Sequence, residues 1–96
     1  MNKKELYQQK KQSQLNEWKA ELEKLKAKAS GASADTQLEL NKQIKELQGK
    51  LDEGKTKLAE ISDANEEAWE SLKKGSESAW DSIKSTFDDV ATKFKK

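Results

Sequence analysis

The sequence predicts an all-α fold, with long amphipathic helices forming an antiparallel hairpin or a three-helix coiled-coil bundle that is itself oligomeric. Three observations lead there. Apolar residues recur at intervals of three and four along most of the chain, which places them on one face of a helix. Ala68-Trp69-Glu70-Ser71-Leu72-Lys73 returns eleven residues later as Ala79-Trp80-Asp81-Ser82-Ile83-Lys84, with a worn third copy through Val90, Ala91, Phe94 and Lys95. Eleven residues make three turns at about 3.67 residues per turn, so such a repeat holds its stripe on one side of the helix. Finally, lysine, glutamate, glutamine, leucine and alanine dominate, and none of the 96 residues is proline.

The first element covers residues 3–30, where Leu15, Trp18, Leu22, Leu25 and Ala29 form the stripe and Ala32 continues its step. The second covers residues 35–62 through Leu40, Ile44, Leu47, Leu51, Leu58 and Ile61, with Gly54 standing where an apolar residue is expected. The third covers residues 65–95 through Trp69, Leu72, Trp80, Ile83, Phe87, Ala91 and Phe94, with Asn65 and Ser76 as polar interruptions. Joints fall at 30–35 and 62–65. In the first, Gly31 can end a helix and Ser33 or Asp35 can cap the next. In the second, Asp63 followed by Glu66 approximates a capping box. Without proline the chain can also pass through either joint as helix. Glu46 with Lys50, Glu53 with Lys57, Glu70 with Lys74 and Asp89 with Lys93 stand four apart, in the order that supports a helix by roughly 0.2–0.5 kcal/mol per pair. All three segments belong to one domain.

Charge and composition exclude several classes of function. Nineteen lysines face eighteen carboxylates, for a net charge of +1, and arginine is absent. Arginine is the usual bidentate reader of phosphates and bases, so nucleic acid is not an expected partner. Residues 1–30 carry +4, residues 31–62 carry −1 and residues 63–96 carry −2, so the first and last segments attract each other weakly. There is no cysteine or histidine, which removes disulfides, thiolate and imidazole metal ligands, and Cys/His or Ser/His catalytic pairs. Neighbouring carboxylates such as Glu66 with Glu70, or Asp88 with Asp89, have no evident dry pocket to shift their proton affinity. The expectation is therefore a protein that is not an enzyme, with no catalytic, cofactor-binding or metal-binding residues. Lys3 and Lys4 are followed by Glu5 and a glutamine–lysine run rather than an apolar stretch, and no run reaches the length of a membrane span. A cytoplasmic location is expected.

Helices with a one-sided stripe must cover it, because each buried leucine or aromatic side chain is worth about 1.5–3 kcal/mol. The expected self-association seam is Leu15, Trp18, Leu22, Leu25, Ile44, Leu47, Leu51, Leu58, Ile61, Trp69, Leu72, Trp80, Ile83, Phe87 and Phe94. Its partner is another copy of the chain or another helical protein, and the role is structural or scaffolding. The alternative is peripheral binding of a membrane or lipid surface by the C-terminal repeats. Trp69, Trp80, Phe87 and Phe94 would then insert, the indoles keeping their N–H groups wet, with Lys73, Lys84 and Lys95 at the headgroups. Glu66, Glu70, Glu77, Asp81 and Asp88 on the adjoining face favour a neutral surface over an anionic one. Gly54, Asn65 and Ser76 are read as joints or tolerated imperfections in the stripe rather than as selectors of register.

The run Ala68 to Ile83 resembles the tail of a group of small bacterial coiled-coil proteins of unassigned function, and Leu15 to Lys28 is similar to their N-terminal half. Such proteins share eleven-residue amphipathic repeats with exchangeable apolipoproteins, whose repeats are punctuated by proline where this chain has none. The resemblance implies an all-helical fold and leaves the activity open.

Overall fold

A computed structural model describes residues 2–94, with Phe94 described in its backbone alone. Three helices account for nearly all of them: α1 (Lys3–Ser30), α2 (Ala34–Asp63) and α3 (Glu66–Phe94). No strand occurs among the described residues. Both joints break, so the chain forms three helices rather than one long hairpin. A helix of 28 to 30 residues is about 42–45 Å long, and the molecule measures 51 × 20 × 18 Å. It is one helix long, so the chain folds fully back on itself twice.

Local chemistry sets the ends. The Asn2 side chain accepts a hydrogen bond from the Glu5 N–H at 2.9 Å and caps α1. Gly31 closes the same helix, its N–H donating to the Lys28 carbonyl at 3.2 Å. Ser33 takes the cap position of α2, but its hydroxyl donates to the Thr36 hydroxyl at 3.0 Å rather than accepting from the backbone. Asp35 instead lies in the first turn, where its charge meets the positive end of the helix dipole. At the second joint the cap is Asn65, not the Asp63 that the sequence suggests. Asp63 is still helical, Ala64 is extended (φ −81°, ψ 148°), and the Asn65 side chain accepts the Ala68 N–H at 2.8 Å. The extended Ala64 shifts the start of α3 beyond reach of an Asp63 cap.

α2 packs along both neighbours, whereas the backbones of α1 and α3 rarely come close. The Lys4 ammonium donates to the carbonyls of Ser62 at 3.1 Å and Ala64 at 2.7 Å, so α1 starts beside the end of α2. α2 has no basic residue in its own last turn, and Lys4 supplies the cation that its carbonyl end favours. Tyr7 faces Trp69, so α1 and α3 start at the same end and run parallel, with α2 antiparallel to both. Among the helical pairs expected from sequence, Lys50 instead donates to the Ser82 hydroxyl on α3 at 3.0 Å, and Lys57 pairs with Glu60 at 3.9 Å.

One chain covers most of the stripe by itself. Leu15, Leu22, Leu25, Ile44, Leu47, Leu51, Leu58, Ile61, Trp69, Trp80, Ile83 and Phe87 are buried, as are Ala29, Leu40 and Val90, while Trp18 and Leu72 are half-buried. Val90, which is buried, rather than the half-buried Ala91 continues the inward track beyond Phe87. The side chain of Phe94 and all of Lys95 lie outside the described residues. Pairing with a second copy is therefore not required to keep the buried seam residues out of water.

Gly54 fits the fold because of what stands opposite. A Cβ at this position would lie 2.9 Å from Ile83 Cδ1, 3.3 Å from Leu15 Cδ2 and 3.3 Å from Trp80 Cζ3, whereas at Gly49 and Gly75 it would meet nothing within 4 Å. Gly54→Ala crowds a well-packed site, at about 1–3 kcal/mol, against roughly 0.5–1 kcal/mol gained from helix propensity. Gly54→Ala is expected to lower stability by about 1 kcal/mol, and Gly49→Ala and Gly75→Ala each to raise it by about 0.5–1 kcal/mol. Urea unfolding midpoints measure this; equal gains at all three glycines would show that the space above Gly54 is not filled.

Candidate functional site

The chemistry-bearing side chains gather where α1 meets α3 in the first half of the bundle. Counting back from Leu15, the inward positions of α1 are Lys11, Tyr7 and Lys4, all half-buried. The stripe continues through them on lysine stems and one phenol instead of aliphatic residues. The opposing positions on α3 are Trp69, Leu72 with Lys73, Ser76 and Trp80. Because the two backbones stand apart, rings span the gap. Tyr7 and Trp69 have centroids 5.9 Å apart and tilted by 49°, and Trp18 lies 5.7 Å from both Trp80 (43°) and Phe87 (12°, stacked). Such pairs add about 0.5–1.5 kcal/mol beyond the area they bury.

Polar groups thread between the rings. The Tyr7 hydroxyl donates to Ser76 Oγ at 3.1 Å, and Ser76 is fully buried. The Lys11 ammonium lies 5.3 Å from the Tyr7 ring centroid and 5.2 Å from that of Trp80, and it pairs with Glu77 at 3.4 Å. Only 16% of its side chain is exposed, so its charge is held by two ring faces and one carboxylate. Lys73 stands 5.7 Å from the centroids of both Tyr7 and Trp69. Burial pushes the Tyr7 phenol above its ordinary value of 10.0; the Ser76 bond opposes this, while the nearby Glu77 carboxylate adds to the rise. The Trp80 indole N–H is buried without a hydrogen-bond partner, as is the Oε1 of Gln43 on α2.

Above this layer, at the mouth of the α1–α3 seam, lies an open groove of about 610 Å³ lined by Lys3, Leu6, Tyr7, Lys10, Trp69, Glu70 and Lys73. Tyr7 and Trp69 line it together with three lysines and one carboxylate. Among the described residues, Leu6 (48% exposed) on its wall and Leu38 (67%) at the start of α2 are the large apolar residues left facing water.

The residues expected to touch lipid are placed differently from that expectation. Trp69 and Trp80 are only 4% and 3% exposed, and Phe87 is buried with them, so a surface reaches these rings only if the helices part. The indole of Trp80 is dry rather than wet, because its ring lies over Gly54. Lys73 covers rings, while Lys84 is exposed. Sequence alone does not single out Tyr7, and it reads Lys4 and Lys11 as part of a solvated helix end; the signal for their inward position was the phase of the stripe, which reaches all three in steps of three and four from Leu15. Among the described residues, no group of three or more Asp or Glu side chains is arranged to hold a metal ion, and no helix is long and apolar enough to cross a membrane. No family model matches the chain, and no curated protein or solved structure is found to be similar to it.

Tyr7→Phe removes a hydrogen bond and leaves the buried Ser76 hydroxyl without its donor, which is expected to lower stability by about 1–3 kcal/mol. Tyr7 has a raised value in the folded state, so its contribution is complete below pH 10.0 and is lost as pH rises through the higher folded value. Wild type is expected to lose more stability than Tyr7→Phe above that pH. Denaturant melts of both proteins across the alkaline range measure the difference, and parallel curves would remove Tyr7 from the account.

Proposed function

We propose that this protein is a non-enzymatic structural module of the cytoplasm, a short helical rod that associates with further copies of itself and acts as a scaffold. The observation that carries this reading is how the chemistry-bearing side chains are employed. Tyr7, Ser76, Lys11, Glu77, Lys4 and Lys50 all make bonds from one helix to another. They hold the rod together, and of them only Tyr7 also lines the open groove at the α1–α3 seam. A positive first segment, a negative last segment and exposed Leu6 and Leu38 supply complementary surfaces through which neighbouring rods meet. One chain weighs 10.9 kDa. Light-scattering mass is expected to rise above that value as concentration approaches about 1 mM and to fall back at high salt, where exposed charges are screened. A single-chain mass at every concentration would overturn the reading.

A second reading is supported by the unpartnered Trp80 N–H, and it requires α3 to part from α2, along which it packs closely, as well as from α1. If α3 swings away, Trp69, Leu72, Trp80, Ile83 and Phe87 present one apolar face to a lipid surface, with Lys73 and Lys84 at its edge. Because the rings are already dry in the closed bundle, a blue shift of fluorescence is a poor indicator. Quenching by lipids brominated in their acyl chains is expected instead on neutral vesicles, and unquenched tryptophan would contradict the lipid reading.

A further inference from the structure

The eleven-residue repeat starts before the second turn and passes through it without losing phase. Leu58, Trp69 and Trp80 are eleven apart, as are Ile61, Leu72 and Ile83, and likewise Asn65, Ser76 and Phe87. A hairpin does not need this, since the turn leaves the phase of α2 free relative to α3. One straight helix running from α2 into α3 does need it, to keep a single stripe on one side. The turn itself is only Ala64 and Asn65, with neither glycine nor proline, and no residue among those described has positive φ. Rotating Ala64 from ψ 148° to the helical region, and Asn65 with it, makes the helix continuous.

We propose that α3 exchanges between two copies of this chain, the turn at Ala64–Asn65 straightening so that each α3 docks on the α1–α2 pair of the other copy. This adds a contact between copies beside the exposed charges and leucines, and it rests on the reading that copies associate. Every contact that α3 makes with α1 and α2 is then remade between chains, while α1 and α2 stay paired within each copy: the partner copy's α3 supplies the ring opposite Tyr7 and the carboxylate opposite Lys11. Two groups hold the closed turn. Asn65 caps α3, and Lys4 binds the Ser62 and Ala64 carbonyls, which a straight helix would occupy internally. A short hinge with a reproducible interface is the known setting for such exchange. The closed form wins on dilution, because α3 sits at an effective concentration of about 1 mM beside its own chain.

The test compares Lys4→Met/Asn65→Ala, which releases the turn, with Glu66→Pro, which fits the first position of α3 but cannot sit inside a continuous helix. Each protein is refolded at about 1 mM as an equal mixture of ¹⁵N-labelled and unlabelled chains, then treated with a zero-length carbodiimide that couples Lys11 to Glu77. The expected result is a dimeric mass with a long dimension near 90 Å for the released variant, since 61 helical residues (34–94) at 1.5 Å each span about that length. About half of its Lys11–Glu77 peptides should carry mixed labels, while Glu66→Pro stays a monomer with unmixed peptides. Dimers of wild type and both variants whose Lys11–Glu77 peptides are all unmixed would overturn helix exchange while leaving self-association standing. A released variant that remains monomeric at this concentration would also overturn it.

Discussion

Everything in this bundle depends on how the gap between α1 and α3 is filled. α2 approaches both neighbours closely, and aliphatic side chains suffice there. Between α1 and α3 the backbones stand apart, and only side chains as large as indole, phenol or a lysine stem can bridge the distance. Trp18, Trp69, Trp80 and Tyr7 all stand at that seam. Gly54 completes the arrangement on α2, because the ring of Trp80 and the tip of Ile83 occupy the volume that its side chain would need. A missing Cβ on one helix and an oversized ring on another are two halves of one packing solution.

Filling the gap this way brings polar atoms inside. A phenol needs a partner and finds the buried Ser76 hydroxyl. A lysine stem needs somewhere for its charge, and Lys11 finds two ring faces and Glu77. The Trp80 N–H finds no partner, and leaving such a donor unpaired costs about 1–3 kcal/mol. The seam is therefore specific, since few pairs of helices offer that set of partners in that order, but it is not the tightest seam that 96 residues could build.

The helices themselves were largely legible in the sequence. Three-and-four spacing, the absence of proline and the capping residues gave three segments, the first with the observed ends and the others within one residue of them over the described residues. The second cap moved from Asp63 to Asn65, because capping depends on the backbone angles of one intervening alanine. Asn65 did prove to be a joint. Ser76 and Gly54 had the same bland reading, yet each answers a particular side chain across the bundle: Tyr7 for the one, Trp80 with Ile83 for the other. The Lys4–Tyr7–Lys11 run was hidden because a hydropathy pattern treats lysine as surface, although its stem is apolar and continues the stripe in phase.

The sequence by itself determined that the chain is helical, where its helices could stop and which face of each is greasy, since these follow from propensity and periodicity within one segment; that both joints break was decided by the fold. Only the tertiary structure decided that a single chain satisfies its own stripe and that the tryptophans bridge α1 and α3 instead of facing outward. It also decided that a glycine and a serine in apolar slots are fitted rather than tolerated. Those outcomes depend on the distance between backbones that are far apart in sequence, and residue spacing along one chain carries no measure of that distance.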